Sequence, residues 1–320
     1  MSWKLRLTLA MLIAMSAQVP AIAQDTTPSS QPTADELSSD SSRFLRFVGD
    51  SKSGGKLETS EVTFTNDAGV KVRLISAVHI GEASYYHELQ KSFKSSDAVL
   101  YEMVSSRGSG PPIRGQHSDS NVSKLQTFLK DQLGLSFQLD EVDYTPKNFI
   151  HADLDAETFY KLQSERGESF ASLILKSMLN AMSDPSVGRV YDDEPTDLMD
   201  FMTRPDAQGQ LKLLIARRMG DIEREAGGMD ALNGTVILTE RNKAVTKALQ
   251  ATLKSGKKNI AIFYGAAHMP ELSDRLDLMG FKPVQTTWHT AWDVHIDPNA
   301  PSAFMKVMGK VNQSLQESAK

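Results

Sequence analysis

The period of apolar and polar positions changes several times along the chain, and each change marks a different element. Glu61-Val62-Thr63-Phe64-Thr65 alternates as a half-buried strand does, and Val70-Lys71-Val72-Arg73-Leu74-Ile75 alternates again. Asn66-Asp67-Ala68-Gly69 between them is a turn sequence, so the pair predicts a β-hairpin. Tyr86, Leu89 and Phe93 follow at helical spacing and predict a helix over 83–95. Residues 97–103 form a short apolar run of the buried-strand kind, with Glu102 inside it. Gly, Ser and Pro then make a loop of 105–116.

From 121 to about 230 the spacing is mainly helical, most clearly over 123–133, 155–166, 170–182 and 211–225. No core strand is predicted there, which makes this block a helical insertion packed on a sheet. Strand and helix alternate again at the end. An amphipathic helix over 239–254 carries Val245, Leu249 and Leu253 on one side, and 259–264 is a continuous apolar strand. A helix over 270–279 closes at Gly280, 281–288 returns as a strand, and a last helix runs over 302–317. The expected fold class is therefore α/β: a central mixed sheet built from two similar strand–His–helix–strand halves, with a large helical insertion.

The amino terminus changes the picture of where this fold works. Lys4 and Arg6 precede an apolar run over 7–15, and Ala21-Ile22-Ala23 supplies small residues for cleavage. The run is short of the roughly 20 residues that span a bilayer, so 1–23 reads as a cleaved signal peptide rather than an anchor. The mature chain is expected outside the cytoplasm, periplasmic or secreted, without stable membrane insertion. Residues 24–42 are Ser, Thr, Pro and acid, a composition that predicts a disordered linker, and the folded domain is expected over 43–320. The absence of cysteine excludes disulfides, cysteine nucleophiles and thiolate metal sites. A net charge of −5 with both signs interspersed gives no basic stripe for nucleic acid.

Candidate chemistry concentrates at strand ends. Ser76-Ala77-Val78-His79 and Gly265-Ala266-Ala267-His268 each end an apolar strand in small residues, deliver a histidine and enter a helix. Small residues allow close approach to the backbone, and the carboxyl ends of strands are where open α/β sheets place their ligands. A neutral imidazole there can bind a metal or accept a proton. Glu102, in an apolar strand, needs an ion-pair, hydrogen-bond or metal partner. Thr239-Glu240-Arg241-Asn242 opens a helix, with Thr239 suited to an N-cap. His151 is placed to face the same crevice, whereas His87, His117, His289 and His295 read as structural, and Tyr191-Asp192-Asp193-Glu194 as a solvated loop.

Four short motifs, Ala77-Val78-His79, Leu100-Tyr101-Glu102, Thr239-Glu240-Arg241-Asn242 and Gly265-Ala266-Ala267-His268, stand in the order found in the TraB/GumN/TIKI family. The chain resembles that family, within the erythromycin-esterase and ChaN-like group, over about 62–288, and departs from it at Ser76, where glycine is usual. The resemblance implies a sheet of two similar halves with the site between them. Some members are divalent-metal-dependent proteases, and their relatives include esterases that use His and Glu without a metal and a haem-binding protein.

On this reading the chain is an exported hydrolase of peptide or ester bonds. His79, Glu102 and His268 would hold a divalent ion (Mn, Co or Zn), Glu240 would take a proton from water, and Arg241 would stabilise the oxyanion. A metal-free variant has His79 and Glu102 activate water directly. The alternative from another class is a non-catalytic exported protein that captures a peptide or haem in the same crevice.

Overall fold

The computed structural model describes residues 43–50, 52–115, 133–168, 198–222, 234–306 and 308–309. The signal peptide, the linker, the helices expected over 123–133 and 170–182, His117, the 191–194 loop and nearly all of the last helix lie outside the described residues, apart from Leu133 and short pieces of 302–309. Strands are β1 (Leu45–Asp50), β2 (Gly54–Thr65), β3 (Lys71–Ala77), β4 (Ile80–Gly81), β5 (Ala98–Tyr101), β6 (Ser136–Phe137), β7 (Phe149–His151), β8 (Asn259–Gly265) and β9 (Lys282–His295). Helices are α1 (Ala83–Phe93), α2 (Gln138–Glu141), α3 (Ala156–Glu165), α4 (Leu198–Thr203), α5 (Ala207–Ile222), α6 (Arg241–Lys254) and α7 (Met269–Leu278).

A mixed seven-stranded sheet organises the chain. β3, β8, β5 and β7 run parallel as neighbours in that order. The antiparallel part is built on β2, whose one edge is shared end to end by β1 and β3 while β9 runs along the other. The β2–β3 hairpin forms as the alternation predicts. Asn66 closes its turn by accepting from the backbone of Ala68 and Val70, and Gly69 takes a φ of 73° that a side chain would oppose.

The continuous apolar strands sit in the middle of the sheet because both of their faces are covered. Val99, Tyr101, Ala261 and Phe263 face a cluster with Tyr85, Tyr86, Leu89 and Phe93 of α1 and Leu213 of α5. Ala98, Leu100, Ile260, Ile262 and Tyr264 face the opposite cluster with Val245 and Leu249 of α6 and Leu272 and Leu276 of α7. α7 ends in a Schellman turn: Gly280 has a φ of 83°, and the Phe281 and Gly280 N–H groups donate to Leu276 and Asp277. Among the described residues no helix is long and apolar enough to cross a membrane.

Three expectations are corrected. The block 121–230 contributes two strands: β6 pairs with β4, and β7 extends the parallel sheet beside β5. The three residues of β7 are too few to show a period, and none of them is fully buried, so apolar patterning leaves no trace of it. The segments β3–His79–α1–β5 and β8–His268–α7–β9 close differently, since β5 lies parallel to β8 whereas β9 lies antiparallel to β2. Finally, α6 is preceded by a π-helical turn, Val236–Glu240, capped by Thr235, whose hydroxyl accepts from the Leu238 N–H; Thr239 is inside that turn and is not the cap.

Ile262 lies in β8, between β3 and β5, and is 1 % exposed, whereas Val284 on β9 is 63 % exposed. Ile262→Ala is expected to lower unfolding free energy by about 2–5 kcal/mol. Val284→Ala should stay within about 0.5 kcal/mol of wild type. Urea denaturation of both variants checks the assignment of core and edge.

Candidate active site

Each of the four parallel strands ends by releasing one polar side chain toward a common region. His79 lies two residues past β3, Glu102 directly after β5, Asp153 two residues past β7 and His268 in the 3-10 turn after β8. Arg241, the first residue of α6, reaches them from the far side. The register explains the convergence: Ala77 pairs with Gly265, and Tyr101 pairs with both Phe263 and His151, so the four ends lie side by side.

Arg241 is the hub. Its Nε donates to Asp153 Oδ1 at 3.0 Å, and its Nη2 donates to Asp153 Oδ2 at 2.6 Å and to Glu102 Oε1 at 2.7 Å. The Asp153 side chain is fully buried and also accepts from the Met103 and Leu154 N–H groups. The other Glu102 oxygen, Oε2, accepts from the Gly265 N–H at 2.6 Å. Gly265 matters here for space, because a Cβ at that position would meet Glu102 Oε2 at 3.3 Å. Burial would raise the Glu102 pKa, but Arg241, His268, His79 and the Gly265 N–H outweigh it and hold the carboxyl far below the usual range.

His268 is 3 % exposed. Its Nδ1 is 2.7 Å from Asn242 Oδ1, and its Nε2 is 3.6 Å from Glu102 Oε1, too far for a direct hydrogen bond. Burial pushes its pKa down to about 4, with Glu102 and Asp153 opposing the shift and Arg241 and His79 adding to it, so the imidazole is neutral at pH 7. His79 is exposed at the rim and acts electrostatically on both Glu102 and His268.

Glu240 is not part of this group. Its carboxylate pairs with Arg166 Nη2 and with Lys243 Nζ at 3.0 Å. Successive residues of a helical turn do not face each other, so with Arg241 turned into the site Glu240 points away. His151 places Nε2 2.5 Å from the Met103 carbonyl and is exposed. Three partners are new: Asp153, Asn242 and Glu271. Asp153 follows β7 as Glu102 follows β5, but because β7 leaves no trace in the apolar pattern, no sequence signal points to it. Asn242 stands inside a motif and Glu271 three residues past one, but neither carries a pattern of its own.

As a seat for a divalent ion, His79, Glu102 and His268 are not gathered in this arrangement, and the Arg241 guanidinium, 2.7 Å from Glu102 Oε1, would repel a second cation there. Among the described residues no three His, Asp or Glu side chains form a metal-ligating group. Set against family models, curated proteins and solved structures, the chain matches none of them.

The two buried groups make stability pH-dependent in a defined direction. His268 moves from 6.5 to about 4 on folding and Glu102 moves below 4.5. In both cases the unfolded chain binds protons first, so stability is full above about pH 7 and falls on acidification. The His268 contribution, about 3 kcal/mol, should be lost between pH 6.5 and 4, and that of Glu102 from pH 4.5 downward. Urea unfolding across pH in EDTA checks this; His268→Gln should flatten the upper part of the curve.

Proposed function

We propose that the protein is an exported hydrolase of peptide or ester bonds in which His268 and Glu102 activate water and Arg241 stabilises the developing oxyanion. The observation that carries this reading is the buried approach of His268 Nε2 to Glu102 Oε1 at 3.6 Å. A neutral imidazole nitrogen and a carboxylate oxygen can both accept from one water, which leaves the water oxygen free to attack a carbonyl. His268 takes the proton, and the imidazolium is stabilised by Glu102 and Asp153, the same carboxylates that oppose its pKa shift. Arg241 keeps Nη1 outside the bonds its Nε and Nη2 make, so a donor remains for the oxyanion. A guanidinium locked by two carboxylates needs no reorganisation during reaction, which is what gives such donors their effect.

This differs from the expectation in three respects. The proton acceptor is His268 rather than Glu240, and no step is routed through a metal ion. His79, exposed at the rim, orients the substrate. Export rests on the Lys4-to-Ala23 leader, and the resemblance to the TraB/GumN/TIKI family favours peptide or ester substrates. The exposed rim histidine also supports the rival reading, in which the crevice captures haem or a peptide without chemistry.

Hydrolysis of peptide and ester panels by residues 24–320, in EDTA and with added Mn, Co or Zn, tests the reading. Metal-independent turnover is expected, reduced about 10²-fold or more in Glu102→Gln. Its acid limb in kcat/KM should have an apparent midpoint near 4, the His268 value, rather than the ordinary 6.5. Turnover only with added metal contradicts the metal-free chemistry. No turnover, with a Soret shift on adding haem that His79→Ala abolishes, favours the binding reading.

A further inference from the structure

His268 is useful as a proton acceptor only if Nε2, the nitrogen facing Glu102, carries no proton. Left to itself, the ring would do the opposite: a carboxylate 3.6 Å from Nε2 attracts an N–H, and the base would be consumed. The residues behind the ring decide which nitrogen holds the proton.

Glu271 sits in the first turn of α7 and accepts from Arg275 Nη2 at 2.6 Å, from Asn242 Nδ2 at 2.8 Å and from Thr239 Oγ1 at 3.1 Å. These donors hold it below the usual carboxylate range against the cost of partial burial, so it is ionised and can only accept. An ionised Glu271 fixes the Asn242 amide with Nδ2 toward itself. The amide oxygen then faces His268 Nδ1 at 2.7 Å, and an oxygen there can only accept. His268 must supply the N–H from Nδ1, which leaves Nε2 as a lone pair. Asn242 is fully buried, so water cannot substitute for either contact.

We propose that Asn242, oriented by Glu271, is a positioning residue that sets His268 in the Nδ1–H form and keeps Nε2 free for the water shared with Glu102. This rests on the hydrolase reading for its purpose but not for its geometry. Asn242 and Glu271 come from the starts of α6 and α7, which pack on the same sheet face, so the relay is built where two helix amino ends meet. A carboxylate in place of Asn242 would also accept from Nδ1, but it would confront Glu271 and would raise the basicity of His268. The neutral amide holds the tautomer without that charge.

The test is the 15N spectrum of histidine-labelled protein, with the His268 signals assigned by their loss in His268→Gln. Wild type should show Nδ1 protonated and Nε2 bare at neutral pH. Asn242→Ala should move the proton to Nε2, toward Glu102, and lower kcat about 10²-fold or more with little change in KM. Glu271→Gln should act in the same direction, because a glutamine can present an oxygen or an N–H and frees the Asn242 amide to turn. The double variant Asn242→Asp/Glu271→Gln, which rebuilds the chain from His268 Nδ1 through position 242 to position 271 with the donor moved to position 271, should restore the Nδ1–H signature and part of the rate. A wild-type His268 that carries its proton on Nε2, or an Asn242→Ala protein that keeps Nδ1–H, overturns the proposal. If the tautomers behave as described while no substrate is turned over, the positioning of His268 stands and the hydrolase reading falls.

Discussion

The guanidinium of Arg241 is the constraint on which the site depends. Two carboxylates, Glu102 and Asp153, are withdrawn from water at the ends of adjacent parallel strands, and a pair of like charges there would repel unless a cation joined them. Arg241 joins them with its fork, binding Asp153 through both Nε and Nη2 and Glu102 through Nη2. A lysine could neutralise the charge but could not span both carboxylates from a fixed plane. The same contacts pin the amino end of α6 to the carboxyl ends of β5 and β7, so the helix start and the strand ends are held as one unit.

That unit sets the electrostatics of everything around it. Glu102 stays ionised, although buried, because Arg241 is beside it, and His268 stays neutral because burial and Arg241 outweigh the two carboxylates. An ionised acid and a neutral imidazole side by side are a proton-accepting pair rather than an ion pair. The sheet supplies the positions: small residues at Ala77 and Gly265 end neighbouring parallel strands, and Gly265 leaves the room that Glu102 Oε2 occupies.

The sequence carried the central sheet and much of the site. Continuous apolar runs at 97–103 and 259–264 are legible because strands covered on both faces need no polar positions. The histidines were legible as a pair because both follow small residues at strand ends, and Glu102 because an acid in an apolar run demands a partner. Strand β7 was not legible, since three partly exposed residues show no period. Neither was the choice between Glu240 and Arg241, which depends on how the π-helical turn rotates the start of α6. Asp153 escaped notice because an acid before a helix reads as an ordinary cap; the neighbouring Asp155 is one, accepting from the Thr158 N–H. Strands β5 and β9 each follow a histidine and a helix yet join opposite sides of the sheet, because pairing partners are a property of the whole fold.

The most direct test of the account is the turnover of wild type and His268→Gln on one peptide or ester substrate in EDTA, with both proteins shown to be folded. Glutamine keeps a polar group of similar reach in the buried position but cannot take a proton at neutral pH. The account predicts metal-independent hydrolysis by wild type and a loss of about 10²-fold or more in kcat for the variant. Equal turnover by the two proteins would remove His268 from the chemistry and contradict the assignment of this site.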